Sequence, residues 1–228
     1  VNKGDQNSFV YGWNAYVLKS SQAEEGEETA PEIKYTSVVD PIDLPDSDPE
    51  PEPSVPVGQN LISNAGFDNS DGWTVVNQYE SDNTMGAVLF ENGIAKFAET
   101  SSAVEGSWKH LGLYTELSLA SGTYQFEMEI NYEEVSDAWG EVYIGKAEPS
   151  PGAEYNGDIK VLKVFNSWEC ASVTTYSGNA TETGCDTNSI PGRVEISSPG
   201  TYYLLFRTGG ASYGNIGVQI DNMHLELL

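Results

Sequence analysis

Asn60-Leu61-Ile62-Ser63-Asn64-Ala65-Gly66-Phe67-Asp68-Asn69-Ser70-Asp71-Gly72-Trp73 is the stretch on which the fold turns. It joins a short apolar run to a glycine turn, an acidic residue behind an aromatic, and a Gly-Trp pair. The other end of the chain supplies a matching piece, Ile216-Gly217-Val218-Gln219-Ile220-Asp221-Asn222-Met223-His224-Leu225-Glu226-Leu227. Here Ile216, Val218 and Ile220 share one parity, and Met223, Leu225 and Leu227 the opposite one. A one-residue bulge at Asp221-Asn222 reconciles the two halves of a single strand.

Between these pieces the period is two. From Thr123 to Tyr132 the apolar residues Tyr124, Phe126, Met128, Ile130 and Tyr132 alternate with Gln125, Glu127, Glu129 and Asn131, as in a strand with one face in the core. Further strands are expected near 85–90, 94–99, 108–117, 140–146, 160–166, 192–197, 201–207 and 216–227. Glu91-Asn92-Gly93, Ala120-Ser121-Gly122, Ser198-Pro199-Gly200 and Thr208-Gly209-Gly210 separate several of them as turns. Eight or more short strands with no helical stretch predict a β-sandwich over residues 59–228.

Composition changes sharply before residue 59. Residues 1–58 carry 12 acidic and 3 basic side chains, and Asp46-Ser47-Asp48-Pro49-Glu50-Pro51-Glu52-Pro53 places proline at every second position. Residues 20–58 therefore read as an extended acidic Pro-rich stalk, with a disordered tail as the alternative. Residues 8–18 read as one strand within a segment 1–19. It is expected to be the terminal strand of a preceding domain, or a strand that pairs with a neighbouring subunit.

The whole chain has 228 residues and a formal net charge of −25. That charge repels polyphosphate and excludes nucleic acid as an expected partner. The longest apolar runs, such as Tyr202 to Phe206, are too short to span a bilayer. No leader precedes Val1, so a processed or truncated product is expected, with any membrane attachment lying upstream. Cys170 and Cys185, with no histidine between or beside them, are a poor zinc set. They are either free thiols or a disulfide, and a disulfide implies an extracellular or other oxidising setting.

The opening motif and the closing Ile-Asp-Asn strand resemble the carbohydrate-binding modules of families four and nine. These are jelly-roll β-sandwiches of the galactose-binding-like type. The resemblance implies non-catalytic binding of a polysaccharide, with a neutral β-glucan as the first ligand. It also implies a structural Ca²⁺ held by Asp68 and Asp221, which otherwise read as a turn cap and a bulge residue. A stalk before such a module is similar to the surface glycan-binding lipoproteins of Gram-negative bacteria. That layout implies a bacterial cell-surface setting beside an outer-membrane glycan importer.

Sugars present flat C–H faces and hydroxyls, so a site needs aromatic rings beside polar groups. Trp108, Trp139 and Trp168 sit near loop–strand junctions, and Tyr155 sits in a loop. These four are candidate ligand contacts, with core packing as the alternative for each, whereas Trp73 is expected in the core. Arg207, alternating with Tyr202, Leu204 and Phe206, is a candidate donor to sugar hydroxyls. Glu127 belongs to a polar row, Gln125 to Asn131, that is either the floor of a groove or a solvated face. An enzyme is disfavoured. The Glu-x-Asp-x-x-Glu motif of jelly-roll glucanases is absent, and neither His110 nor His224 has a nucleophile or metal partner at a recognisable spacing. The other class considered is a structural subunit of a surface filament or adhesin, assembled by strand donation or calcium.

Overall fold

The computed structural model describes residues 9–11, 14–16, 53–78, 85–103, 107–155, 157, 159–170 and 174–228. The stalk from 20 to 52 and Trp13 lie outside the described residues. Two compact units divide the chain, Val1–Asp48 and Pro49–Leu228. In the first, Phe9–Tyr11 (β1) and Asn14–Tyr16 (β2) pair antiparallel, with Phe9 opposite Tyr16. Residues 8–18 were expected to form one strand. The described residues instead form two short strands that pair with each other.

The second unit is an all-β jelly-roll sandwich of two antiparallel sheets. The first sheet contains Gly86–Glu91 (β4), Ile94–Glu99 (β5), Gly122–Tyr132 (β7), Tyr176–Asn179 (β10), Arg193–Ile196 (β11) and Val218–Leu227 (β13). Its order is β10-β7-β13-β5-β4, and β11 also pairs with β7. The second sheet runs β3-β6-β12-β8-β9 through Thr74–Asn77 (β3), Lys109–Leu119 (β6), Ser136–Gly145 (β8), Ile159–Asn166 (β9) and Gly200–Ser212 (β12). Among the described residues no helix is long and apolar enough to cross a membrane.

The core lies where the sheets face each other. β7 contributes Tyr124, Phe126, Met128, Ile130 and Tyr132, all buried as their alternation requires. β13 contributes Val218 and Ile220 before its bulge, and Met223 and Leu225 after it. The register against β7 shifts between Asp221 and His224, and Asn222 takes a positive φ of 48°. The extra residue flips the parity and keeps both halves of the strand apolar side inward. β4 and β5 are joined at Asn92-Gly93, both at positive φ, the geometry of a two-residue hairpin loop.

The opening motif clamps the first residues to the last strand. The Asn60 side chain donates to Met223 O (2.8 Å) and accepts from Leu225 N (3.1 Å). Trp73 is buried, packs on Phe67 at 4.9 Å between ring centres, and donates its indole N–H to Asn64 O. The compact unit begins ten residues before the expected boundary of 59. Gly58 N donates to Leu227 O, which draws the end of the expected stalk onto the sandwich.

Candidate binding face on the second sheet

The outer face of the second sheet is unusual because it is largely buried. Register across its strands stacks the outward side chains in rows. One row is His110, Gly209 and Trp139. The next is Val76, Gly112, Arg207 and Glu141, and the third is Thr74, Tyr114, Leu205, Tyr143 and Lys160. Val76, Tyr114, Tyr143, Leu205 and the loop residue Tyr155 form a second apolar cluster, separate from the sandwich core.

Arg207 is the centre of this face. Its guanidinium carbon lies 4.9 Å from the centre of the Trp139 ring and 4.5 Å from that of Tyr143, a double cation–π contact in a desolvated site. It donates to Glu141 (3.0 Å) and Glu154 (3.4 Å). Lys160 also pairs with Glu141. Burial pulls the Glu141 carboxyl upward, but Lys160 and Arg207 outweigh it and hold it below its usual range.

Gly209 lets two rings meet over the sheet. A Cβ there would lie 2.9 Å from the Trp139 ring, so any larger residue would lift the indole. With the space open, the His110 ring packs edge-on against Trp139 at 4.9 Å. Burial, reinforced by Arg207, lowers the His110 pKa to about 4, so the imidazole is neutral at pH 7. Beside it, Gln78 N donates to His110 O, which extends β3 by one residue. Gln78, His110 and Arg207 are only 2%, 7% and 5% exposed. Among the described residues, both polar atoms of the Gln78 carboxamide, Nε2 of His110 and Nε of Arg207, all sealed from solvent, find no hydrogen-bond partner. A buried polar atom left unpaired costs about 1–3 kcal/mol, so this part of the sheet is where the face gives up stability.

The loop between β8 and β9 crosses this face as a strap. Glu148 accepts from the Tyr114 hydroxyl (2.8 Å), Glu154 reaches Arg207, and Gly152 N donates to Asn77 O (2.8 Å) on β3 at the far edge of the sheet. Tyr155 is buried beneath it against the second cluster. Of the two readings of Tyr155, ligand contact or packing, its burial fits packing, where it anchors the strap.

Trp108 and Trp168 are the exposed rings, at 36% and 52%. They stack at 6.1 Å and 28°, although their strands β6 and β9 are separated by β12 and β8. Trp108 lies two residues before His110, and Trp168 two residues past Asn166, which pairs with Trp139. The structure thus gathers Trp108, Trp139, Trp168, Tyr155 and Arg207 on one face. Glu127 is elsewhere. It lies on the outer face of the first sheet, where it joins Gln125, Glu129, Asn179, His224 and Glu226 around a shallow depression of about 200 Å³. Sequence reasoning missed Gln78, His110, Glu141 and Tyr143, whose signal is a register between strands distant in the chain.

Cys170 and Cys185 form a disulfide, Cα–Cα 5.6 Å, beginning two residues past Trp168. At the opening turn, Asp221 Oδ1 comes within 3.9 Å of where a Cβ on Gly66 would stand. The Asn64 amide nitrogen gathers Asn69 O and Asp71 O, and Asp221 accepts from Asn222 N. Among the described residues no group of three or more histidine, cysteine or carboxylate side chains stands together as a metal set. A calcium at Asp68 and Asp221 would take most of its oxygens from the backbone.

No family model and no curated protein matches the chain. Among solved structures it is similar to a family 61 carbohydrate-binding module in complex with β-1,4-galactotriose, at 14% identity and TM-score 0.40 over 75% of this chain and 99% of that one. It is also similar to a family 4 carbohydrate-binding module, at 12% identity and TM-score 0.34 over 73% of this chain and 99% of that one. A third likeness is to the adhesin domain of Epf from Streptococcus pyogenes, at 10% identity and TM-score 0.40. It covers 64% of this chain and about half, 48%, of that domain. At these values the likenesses bear on no residue's role.

Proposed function

We propose that the protein binds an uncharged extracellular polysaccharide, without cleaving it, on the outer face of its second sheet. The observation that carries this reading is the stacked, exposed pair Trp108 and Trp168 on the same face as Trp139 and Arg207. The C–H faces of a sugar would pack on the exposed indoles while its hydroxyls meet accessible polar groups such as the Glu154 carboxylate. An uncharged ligand suits a site whose arginine is already paired with two carboxylates, in a chain of net charge −25. A neutral β-glucan is the first polymer to try. The Cys170–Cys185 bridge fits an oxidising setting outside the cell. A cell-surface module feeding an outer-membrane glycan importer extends the same proposal.

Affinity electrophoresis of the intact chain against neutral and acidic polysaccharides tests it. Retardation by a neutral polymer, with no reducing ends released, is expected. Trp168→Ala should weaken that retardation about tenfold, roughly 1.4 kcal/mol, with melting nearly unchanged because the ring is half exposed. If no polymer retards the protein, the assembly role becomes the better reading, and self-association in sedimentation is the next measurement.

A further inference from the structure

We infer that the Cys170–Cys185 disulfide is a positioning device for Trp168, so that the oxidation state of this pair sets how tightly the face binds. The effect on binding rests on the glycan-binding reading above. The turn that carries Trp168 is stitched to its own sheet on the side before the indole. Asn166 Oδ1 accepts from Trp168 N (3.0 Å) and Glu169 N (3.1 Å), and Asn166 O accepts from Cys170 N (2.8 Å). Ser167 N donates to Ala138 O (2.9 Å) on β8, and Ser167 Oγ accepts from Ala138 N (3.0 Å). Past the indole the hold is the bridge. Cys185 is buried and its N–H meets Thr183 Oγ1 (3.4 Å), so the bridge fastens an exposed turn to a buried base.

A second clasp runs beside the covalent one. Lys163 on β9 donates its backbone N–H to the Asp186 carboxylate (3.0 Å) and pairs through its ammonium with Glu169. Glu169 directly precedes Cys170, and Asp186 directly follows Cys185. The residues flanking both ends of the bridge thus converge on one lysine. What this double bracing holds is not core. Trp168 is half exposed, and among the described residues neither apolar cluster includes any of 166–170. The product of the bracing is the place of one indole, set against Trp108 at 6.1 Å although β12 and β8 lie between their strands. An exposed ring on a loose turn gives up conformational freedom when a ligand settles on it. A ring already fixed does not, and that saving appears as affinity. The bridge therefore acts on binding through Trp168.

Two indole transitions this close couple, so the pair gives a far-ultraviolet circular-dichroism couplet. Subtracting the spectrum of Trp168→Ala fixes its amplitude. The test is the intact chain carrying Cys170→Ser and Cys185→Ser together, held well below its melting transition. It is expected to lose most of the couplet and to bind neutral β-glucan roughly fivefold more weakly in affinity gels. The same pair of substitutions in the Trp168→Ala background should change binding no further. A couplet and retardation that stay at the wild-type level while melting falls would overturn the inference and leave the bridge as a brace for the sandwich. An equal loss of binding with Trp168 already removed would overturn it too, since the bridge would then act elsewhere. If the double variant does not fold, Asp186→Ala loosens the base of the bridge with the disulfide intact. A smaller couplet there supports the inference, and an unchanged one overturns it. Absence of retardation by any polysaccharide would remove the functional reading, while the couplet still decides whether the bridge positions Trp168.

Discussion

His110 is the residue whose chemistry is most altered by its place. Neutral and enclosed by Trp139, Gln78 and Arg207, it takes up a proton in the folded protein only near pH 4, against 6.5 when exposed. Between those values the unfolded chain holds more protons than the folded one, so stability falls as pH drops from about 6.5 to 4. The full effect is roughly 3 kcal/mol. Glu141, whose folded pKa is held low, adds an acid-side loss that begins only in the ordinary carboxylate range, where the unfolded chain takes up that proton first. Urea unfolding at pH 7 and pH 5 separates the two. The loss across that interval should largely vanish in His110→Gln, and a loss unchanged by the substitution would place it on other groups. The individual residues of this face also mark where sequence reading stops. Trp108, Trp139, Trp168 and Arg207 announced themselves as aromatic and cationic side chains near loop junctions. Gln78 and His110 did not, because each becomes informative only through neighbours on strands far away in the chain.

At the scale of elements, alternation along one strand names which residues face outward but not which of the sandwich's two outer faces they reach. Glu127 and Arg207 both point out, yet they lie on opposite sheets. The same alternation did locate the core side of β7 and the bulge of β13, since both are properties of a single strand and its parity. Beside its backbone bonds, the joint between the opening segment and β13 uses the Asn60 side chain. Asn60→Ala removes two hydrogen bonds to β13 and should cost about 1–3 kcal/mol, read as a lower urea midpoint with an unchanged slope. The calcium proposed at Asp68 and Asp221 concerns the same joint. If an ion ties the turn to the bulge, chelation will lower the melting temperature by several degrees. Unchanged melting would leave the tie to Asn60 and to the backbone bonds that Leu61 and Ala65 make with Leu225 and Met223.

For the whole molecule, the compact unit beginning at Pro49 is the piece expected to stand by itself. A fragment 53–228 should melt cooperatively and bind as the intact chain does. A fragment that fails to fold, or that loses binding, would assign the first 52 residues a part in the sandwich or its site. Within that unit the two ends of the strands have different duties. Residues 55–58 join beside the end of β13, near Thr123 and the start of β7. The aromatic face lies at the start of β6 and the late part of β12. These are the opposite ends of strands that run the length of the second sheet, with Gly200 opposite Leu119 and Gly210 opposite Lys109. A captured polymer pulled by flow would therefore load the sandwich along its strands, from one end to the other. Hydrogen bonds between neighbouring strands lie across that direction, so they share the tension in shear instead of opening one after another. If the face binds glycan as proposed, its distance from residues 55–58 makes the domain a mechanical coupling as well as a receptor.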